Sequence, residues 1–359
     1  MWIITFLLAC ALQPQAQAEG WAWGGDLRLR TQLEKTDGTD SRLRERIRVR
    51  LGVKAEVNET IKAEIRLASS TDQRNEDQTL GDNSAPGSKR RNIGLDLAYA
   101  DWTPADFFKL YGGRFPQIHY RPTGSQIIFD EEVALEGMAF AADYQLMESV
   151  RFSLNAGSVY IRENYDSFLS LDQTDNMLNW GQARGEWANN KFFAAAGFGF
   201  FNFVAVEGQN FSDLTPGGSP GGNSEGAAGV VKNPFLPKQY FIDLKFKPVI
   251  FEFGAFGEWI VNNETKDPNK AQRFGISAAH GTWDLSFAYL QINSDSVLSS
   301  FTDSDFANGR TDASGVTAAL GWKFSRNMSA RFTHSRSRYD AGGFEKNQQY
   351  SHLDVSAYF

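Results

Sequence analysis

The chain has 359 residues, 42% of them hydrophobic and 22% charged, with a formal net charge of −7 and a mean hydropathy of −0.40. Apolar residues this plentiful, yet this diluted by polar ones, exclude a buried parallel sheet, whose strands read as continuous Val/Ile/Leu runs. The acidic balance argues against nucleic acid as a partner, and a single cysteine excludes a disulfide framework.

Met1 to Ala18 carries the apolar run WIITFLLACAL and ends in the small-x-small signal AQA, so residues 1–18 read as a cleaved export signal. The usual Lys or Arg before the apolar run is missing, which points to a truncated or misassigned start. Cys10 follows LLA in the manner of a lipoprotein box, but the apolar run before it is short, and cleavage after Ala18 is the stronger reading. The mature chain then has no cysteine, hence no thiol catalysis and no Cys-based zinc site. No segment reaches the roughly 18 apolar residues of a spanning helix.

From residue 19 onward, strand-like segments recur at about 21–34, 42–57, 60–71, 92–103, 107–118, 131–145, 150–163, 177–188, 191–206, 238–247, 249–262, 271–280, 282–293, 314–325, 328–339 and 348–359. The second is the most telling. In SRLRERIRVRL, Arg42, Arg44, Arg46, Arg48 and Arg50 share one parity, and Leu43, Ile47, Val49 and Leu51 the other, with Glu45 the only intruder. Period two therefore places guanidinium groups on one side of a sheet and an aliphatic stripe on the other. Facing lipid, each arginine near the midplane would cost roughly 2–4 kcal/mol, so these side chains must face water.

Later strands repeat the division. WDLSFAYL sets Trp283, Leu285, Phe287 and Tyr289 against Asp284, Ser286 and Ala288, and VTAALGWKF sets Val316, Ala318, Leu320, Trp322 and Phe324 against Thr317, Ala319, Gly321 and Lys323. FEFGAFGEW does the same, with Phe256 out of pattern. The polar faces carry charge with Gly, Ala or Ser, as a water-filled lumen allows. Trp102, Trp187, Trp283 and Trp322 near tight turns, and Trp180 and Trp259 towards the loops, read as two interfacial belts.

Seven connections are tight, around Asn58-Glu59, Pro104-Ala105, Met147-Glu148, Asn189-Asn190, Lys247-Pro248, His280-Gly281 and Arg326-Asn327. The other eight are longer and polar, including Asp72 to Arg91, Glu207 to Pro237 and Ser294 to Ala313, and the two classes alternate strictly. The expected fold is all-β: a transmembrane antiparallel β-barrel of about 16 strands over residues 19–359, with short periplasmic turns and long extracellular loops. The last strand, SHLDVSAYF, puts Leu353, Val355, Ala357 and Phe359 on one face. A terminal Phe359 there resembles the signal that outer-membrane barrels present to their assembly machinery.

WGGDLRLR (Trp23 to Arg30), RIRVRLGVKAEVN, AEIRLAS, DLAYADWTP, YGGRFPQ and FTDSDFANG, in this order and spacing, are similar to bacterial proteins called putative porins. The resemblance implies a general-porin-like barrel in the outer-membrane lipid, with no cofactor and by analogy a homotrimer. In such barrels an arginine cluster on the wall faces acidic residues on a third loop folded into the lumen. Here the arginine strand and Arg114 match the basic side, and Asp130, Glu131 and Glu132 the acidic side. The third connection, His119 to Asp130, is short and the fifth, with GGSPGGNSEGAAG, is long, which leaves open which loop narrows the pore.

By parity, Arg28, Arg30, Arg44, Arg46, Arg48, Arg50, Lys62, Arg66 and Arg114 point inward on early strands, and Asp96, Glu136, Glu252, Glu258 and Asp284 inward mostly on later ones. A wall basic on one side and acidic across from it is expected, with a weak anion preference. Local catalytic signals are poor. GNSEG (Gly222 to Gly226) lacks the strand and helix of a nucleophile elbow, DSDFANG misplaces the glycine of a calcium loop, and His119, His280, His334 and His352 are scattered. The leading reading is a passive channel for small hydrophilic solutes; a barrel enzyme of lipase or protease type, or a substrate-selective channel, is the alternative.

Overall fold

Alternating strands that bury neither face in a core of their own must close on themselves, and they do. The computed structural model describes residues 20–69, 77–82, 87, 89–166, 171–172, 174–215, 218–266 and 268–359; the segment 1–18 expected to be an export signal, with Cys10, lies outside them. Sixteen strands form one ring: β1 Trp21–Thr36, β2 Arg42–Glu56, β3 Ile61–Ser69, β4 Ile93–Ala105, β5 Phe108–Phe115, β6 Leu135–Met147, β7 Val150–Arg162, β8 Asn176–Ala188, β9 Phe192–Val204, β10 Pro237–Phe246, β11 Phe251–Asn262, β12 Lys270–His280, β13 Trp283–Ile292, β14 Ala313–Lys323, β15 Met328–Asp340 and β16 Glu345–Tyr358. Each pairs antiparallel with its chain neighbours, and β16 returns to β1 from Asp26↔Tyr358 to Thr36↔Gln348. A closed barrel leaves no unpaired edge. A two-residue strand, Gln78–Thr79, adds to β2 and is not part of the ring.

All sixteen expected strands are present. The largest shifts flank the third loop, where β5 stops at Phe115 because Pro116 has no amide to donate, and β6 begins only at Leu135. Tight turns and loops alternate around the ring, but their lengths do not alternate strictly: loops 37–41 and 341–344 are about as short as turn 57–60.

The faces follow parity, with one switch. Leu95 and Ile93 stand outward on odd numbers, yet further along β4 Leu97, Tyr99 and Asp101 stand inward and Trp102 outward. A β-bulge opposite Arg66 and Leu67 inserts Asp96 as the extra residue and exchanges the faces. Phe256, out of pattern in the sequence, is an inward residue whose ring lies against Gly275 and under the Arg273 guanidinium, 4.2 Å from the ring centroid. Trp180 corrects the belt assignment. It is 2% exposed, points inward over Gly157 and donates Nε1 to Asn155, so only Trp259 of the expected loop-side pair faces outward. Its even parity matches inward Gln182, not the outward residues of β8.

The apolar core lies inside the barrel, towards the loops. The third, fifth and seventh loops (116–134, 205–236 and 293–312) fold inward and pack Ile127, Phe129, Val206, Phe211, Leu298 and Phe306 against Phe201, Phe203 and Ile260 of the wall.

The β1/β16 seam is completed at the chain end, where the Phe359 amide donates to Gly25 O and the Gly25 amide donates to Phe359 O at 2.8 Å. A Cβ at Gly25 would meet the Arg50 carbonyl oxygen and lie 2.9 Å from the Phe359 ring, whereas one at Gly112 would meet nothing within 4 Å. Gly25→Ala should therefore destabilise the barrel by about 1–3 kcal/mol, an overpacking cost. It should lower the temperature at which the compact electrophoretic form is lost, while Gly112→Ala should leave it unchanged. Equal behaviour of the two variants would contradict this seam geometry.

Candidate functional site

The antiparallel register of β1 and β2 sets arginines directly opposite each other, Arg28↔Arg48 and Arg30↔Arg46, with Arg30↔Asp354 on the β16 side. Like charges across a ladder repel, so this wall holds together only if anions are inserted between them. Three come from neighbouring strands and three from loops. Asp26 accepts from Arg48 at 2.9 Å and Arg50 at 2.6 Å, Glu34 from Arg44 at 2.8 Å, and Asp354 from Arg30 at 2.6 Å. Asp77 of the second loop lies 2.8 Å from Arg28 and gives its carbonyl to Arg46 at 3.0 Å. Glu132 of the third loop bridges Arg28 at 2.7 Å and Arg48 at 3.0 Å, and Asp305 of the seventh meets Arg30 at 2.7 Å. Six arginines thus meet six carboxylates, with Glu131 at 3.8 Å from Arg28 as a more exposed seventh.

The third loop carries this contact across the lumen. Its other end is fastened to the far wall: Tyr120 Oη donates to Asp243 on β10 at 2.6 Å, Ser125 Oγ donates to Glu258 on β11, and Arg273 on β12 donates to the Pro122 and Thr123 carbonyls at 2.9 and 3.2 Å. The turn between needs left-handed backbone at Thr123 and Gly124 (φ 42° and 67°), which glycine adopts without cost. The loop that crosses is therefore the third, despite its length. The fifth packs on the seventh through Asn223, which donates to the Val297 carbonyl at 2.8 Å, and Ser224, which donates to Asp295 at 2.7 Å. That Ser224 bond also places GNSEG in a loop–loop contact, and among the described residues no cluster of three metal-ligating side chains occurs.

The predicted site residues divide as follows. Arg28, Arg30, Arg44, Arg46, Arg48, Arg50 and Glu132 come together in the network. Lys62 is exposed near a tight turn and pairs with Glu56 at 2.8 Å, and Arg66 pairs with the bulged Asp96. Glu252 and Asp284 line the far lumen, but Lys245 and Arg331 pair with them at 3.7 and 2.8 Å, and Glu258 is buried against Gln239 and Ser125. The far wall is therefore not acidic, because its carboxylates alternate with cations.

Arg114 and Glu136 are corrections. They pair with each other but share a face with Ala98 and Tyr160, which is the outward one. Counting from the outward Phe108 and Leu110 would have shown it. The reading also missed Asp26, Asp77, Asp305, Asp354, Arg273 and Arg331. Asp26 and Asp354 share the inward parity of their strands and were legible; Asp77 and Asp305 are loop residues with no local signal.

Electrostatics differ within the loops. Burial raises Asp77 and Asp305, but the arginines outweigh it and hold both carboxyls below their ordinary range. Asp130 has no such partner: burial, then the Glu132 charge, push it up to about 6, and Asp303 beside it is raised well above its usual value. Burial, then Arg121, lower His119 to about 3, so it stays neutral between Phe129 and Phe201.

Three spaces flank the crossing loop. One of about 470 Å³ is lined by Glu131, Glu252, Asp284 and Arg331, one of about 430 Å³ by Arg28, Arg48, Arg121 and Glu131, and one of about 340 Å³ by Asp143, Asn155 and Arg184.

The family model described as "Putative porin" matches residues 23–226 and 273–359. The chain belongs to that family. No curated protein matches the sequence. Among solved structures, this porin-family chain is similar to OmpF of Salmonella typhi in complex with daunomycin (11% identity, 96% of this chain and 100% of that one, TM-score 0.54). It is also similar to OmpT expressed in the outer membrane of Vibrio cholerae (11% identity, 96% and 100%, TM-score 0.52) and to the trimer form of OmpT folded in vitro (12%, 94% and 99%, TM-score 0.50). At these identities the likeness concerns the fold, a closed outer-membrane-type barrel of 16 antiparallel strands.

The Asp130 shift carries a sign. An acid raised in the folded loop favours its protonated form, so its packing is strongest below the ordinary value of 3.8 and weakens as pH rises through about 6. Asp77 and Asp305, being lowered, contribute stability that is fully present above 3.8 and is lost only as pH falls below it, so they do not enter this window. Amide-exchange protection at Asp303, whose N–H donates across the loop join to the Gln126 carbonyl at 3.0 Å, should fall between about pH 4 and 7 after correction for intrinsic rates. Asp130→Asn should flatten that dependence; an unchanged slope would show that Asp130 does not titrate there.

Proposed function

We propose that the barrel is a passive porin of the bacterial outer membrane, admitting small hydrophilic solutes and ions past the third loop. One observation carries the reading. The two spaces beside the arginine wall share Glu131, Asp284, Arg331 and Asp354, and together they run from Lys323 and Ser329 near the tight turns to Gln126 and Ile292 near the loops. A charged path of this kind along one side of the lumen passes hydrated solutes and resists apolar ones, which must displace ordered water. The trimeric OmpT neighbour favours a homotrimer in lipid, and Phe359, which closes the seam, is the residue we assign to recognition by the barrel assembly machinery.

Charge balance revises the selectivity. Because the arginines are matched by carboxylates within contact distance, arginine count alone gives no basis for an anion preference. Discrimination should be weak, and weaker still as salt approaches the physiological Debye length of about 8 Å.

Single-channel recording of the refolded protein in planar bilayers should give ohmic steps that grow with salt concentration. A closed barrel that conducts nothing, under conditions where it is inserted, would favour the enzyme reading. Arg28→Ala with Arg48→Ala should uncover Glu132 and loosen its loop, raising conductance and moving the reversal potential towards cations; unchanged values at low salt would remove the network from the conducting path.

A further inference from the structure

The wall is not uniformly high. The β4–β5 ladder ends at Ala98↔Arg114 and the β5–β6 ladder at Phe115↔Leu135, while β4 runs on against β3 to Ile93 and β7 runs on against β8 to Arg162. This leaves a notch in the loop-side half of the wall. Residues 93–97 of β4 form one side, Val159–Arg162 of β7 the other, and the outward Arg114–Glu136 ion pair the sill. Arg114 Nε donates to the Asp96 carbonyl at 2.7 Å and so satisfies one β4 acceptor that has no strand partner there.

Behind the notch lies a cavity of about 830 Å³ whose lining shares only Glu132 with that of the charged path. Its back is apolar, formed by Phe129, Leu135, Val159, Leu178, Phe203 and Leu214. That size falls within the range of about 300–1,000 Å³ usual for small-molecule pockets. Leu95 and Tyr160 stand at its mouth, facing outward and more than half exposed. An exposed tyrosine at the loop end of a strand is a residue that sits at bilayer headgroup level, so the notch opens towards the outer leaflet.

The rim chooses the headgroup. Both arginines there are engaged, Arg114 with Glu136 and Arg162 with Asp213 at 3.1 Å. Glu163 and Asp175 also line the cavity, and neither has a cationic partner among the described residues. An anionic head would meet uncompensated carboxylates, whereas a cationic head would complete them.

We infer that this notch is a lateral binding site for single-chain amphiphiles with a cationic head, the chain entering the apolar cavity and the head resting against Glu163 and Asp175. The site stands apart from the proposed pore and does not depend on conduction.

The test uses the full barrel in nanodiscs of uncharged phospholipid, with a dodecyl-trimethylammonium probe bearing a chain diazirine and a sulfate-headed probe of the same chain. After photolysis and mass spectrometry, the cationic probe should label peptides containing Val159, Leu178 and Leu214, saturably, and the sulfate probe should not. Glu163→Gln with Asp175→Asn should weaken labelling about threefold or more, the size of one or two exposed ion pairs, with conductance unchanged. Labelling spread over the lipid-facing belt, equal labelling by both probes, or full labelling of the double variant would each overturn the assignment.

Discussion

Two arginine pairs placed directly across a β-ladder are the constraint on which the rest of this lumen depends. Arg28 opposite Arg48 and Arg30 opposite Arg46 are fixed by the register of β1 and β2, and that register cannot slip without turning the aliphatic stripe Ile47, Val49 and Leu51 inwards. The repulsion is then relieved by carboxylates that the strands alone do not supply in sufficient number. Asp77, Glu132 and Asp305 arrive on three different loops, so the electrostatics of the wall determine where the loops go. Breaking such a buried pair costs about 3–5 kcal/mol because a desolvated charge is left alone, whereas the intact pair adds little net stability. The network therefore specifies position more than it stabilises the fold.

Position here is function. The third loop is tied to the arginine wall by Glu132 and to the opposite wall by Tyr120, Ser125 and the Arg273 contacts, so it divides the lumen instead of hanging into it. The fifth and seventh loops wedge it from the loop side with an apolar cluster. The open space that remains is pushed against β13 to β16, where Asp284–Arg331 is an exposed pair and where Glu131 reaches over from the loop. Asp130 and Asp303, acids buried behind Glu131 without arginine partners, make the join between the third and seventh loops sensitive to pH.

How much of this was legible in the sequence depended on whether a signal was local. Period-two alternation is local, so the barrel, its sixteen strands and the inward arginines of β2 could be read directly. Parity is local too, but it fails wherever a strand changes face unannounced: the Asp96 bulge exchanges the faces of β4, and Arg114, read beside YGG instead of beside Phe108 and Leu110, went to the wrong side. Trp180 resembled a belt residue because tryptophan suits both a bilayer interface and a close fit over glycine, and only Gly157 on the adjacent strand decides between them. Asp77 and Asp305 could not be read at all. They are ordinary loop acids 49 and 275 residues from the arginines they meet, and nothing short of the closed ring brings them together.

The central claim is that Glu132 and the β1–β2 arginines act as one unit. A double-mutant cycle on Arg28→Met and Glu132→Gln, followed by urea unfolding from lipid vesicles, measures this most directly. The account predicts non-additivity: each single variant leaves a buried charge with one partner fewer, since Arg28 keeps Asp77 and Glu132 keeps Arg48, while the double variant removes both partners of the 2.7 Å contact and recovers at least about 1 kcal/mol of the summed loss. Strictly additive losses would mean that the third loop is held across the lumen by its far-wall anchors alone, and would contradict the arginine wall as the feature that places it.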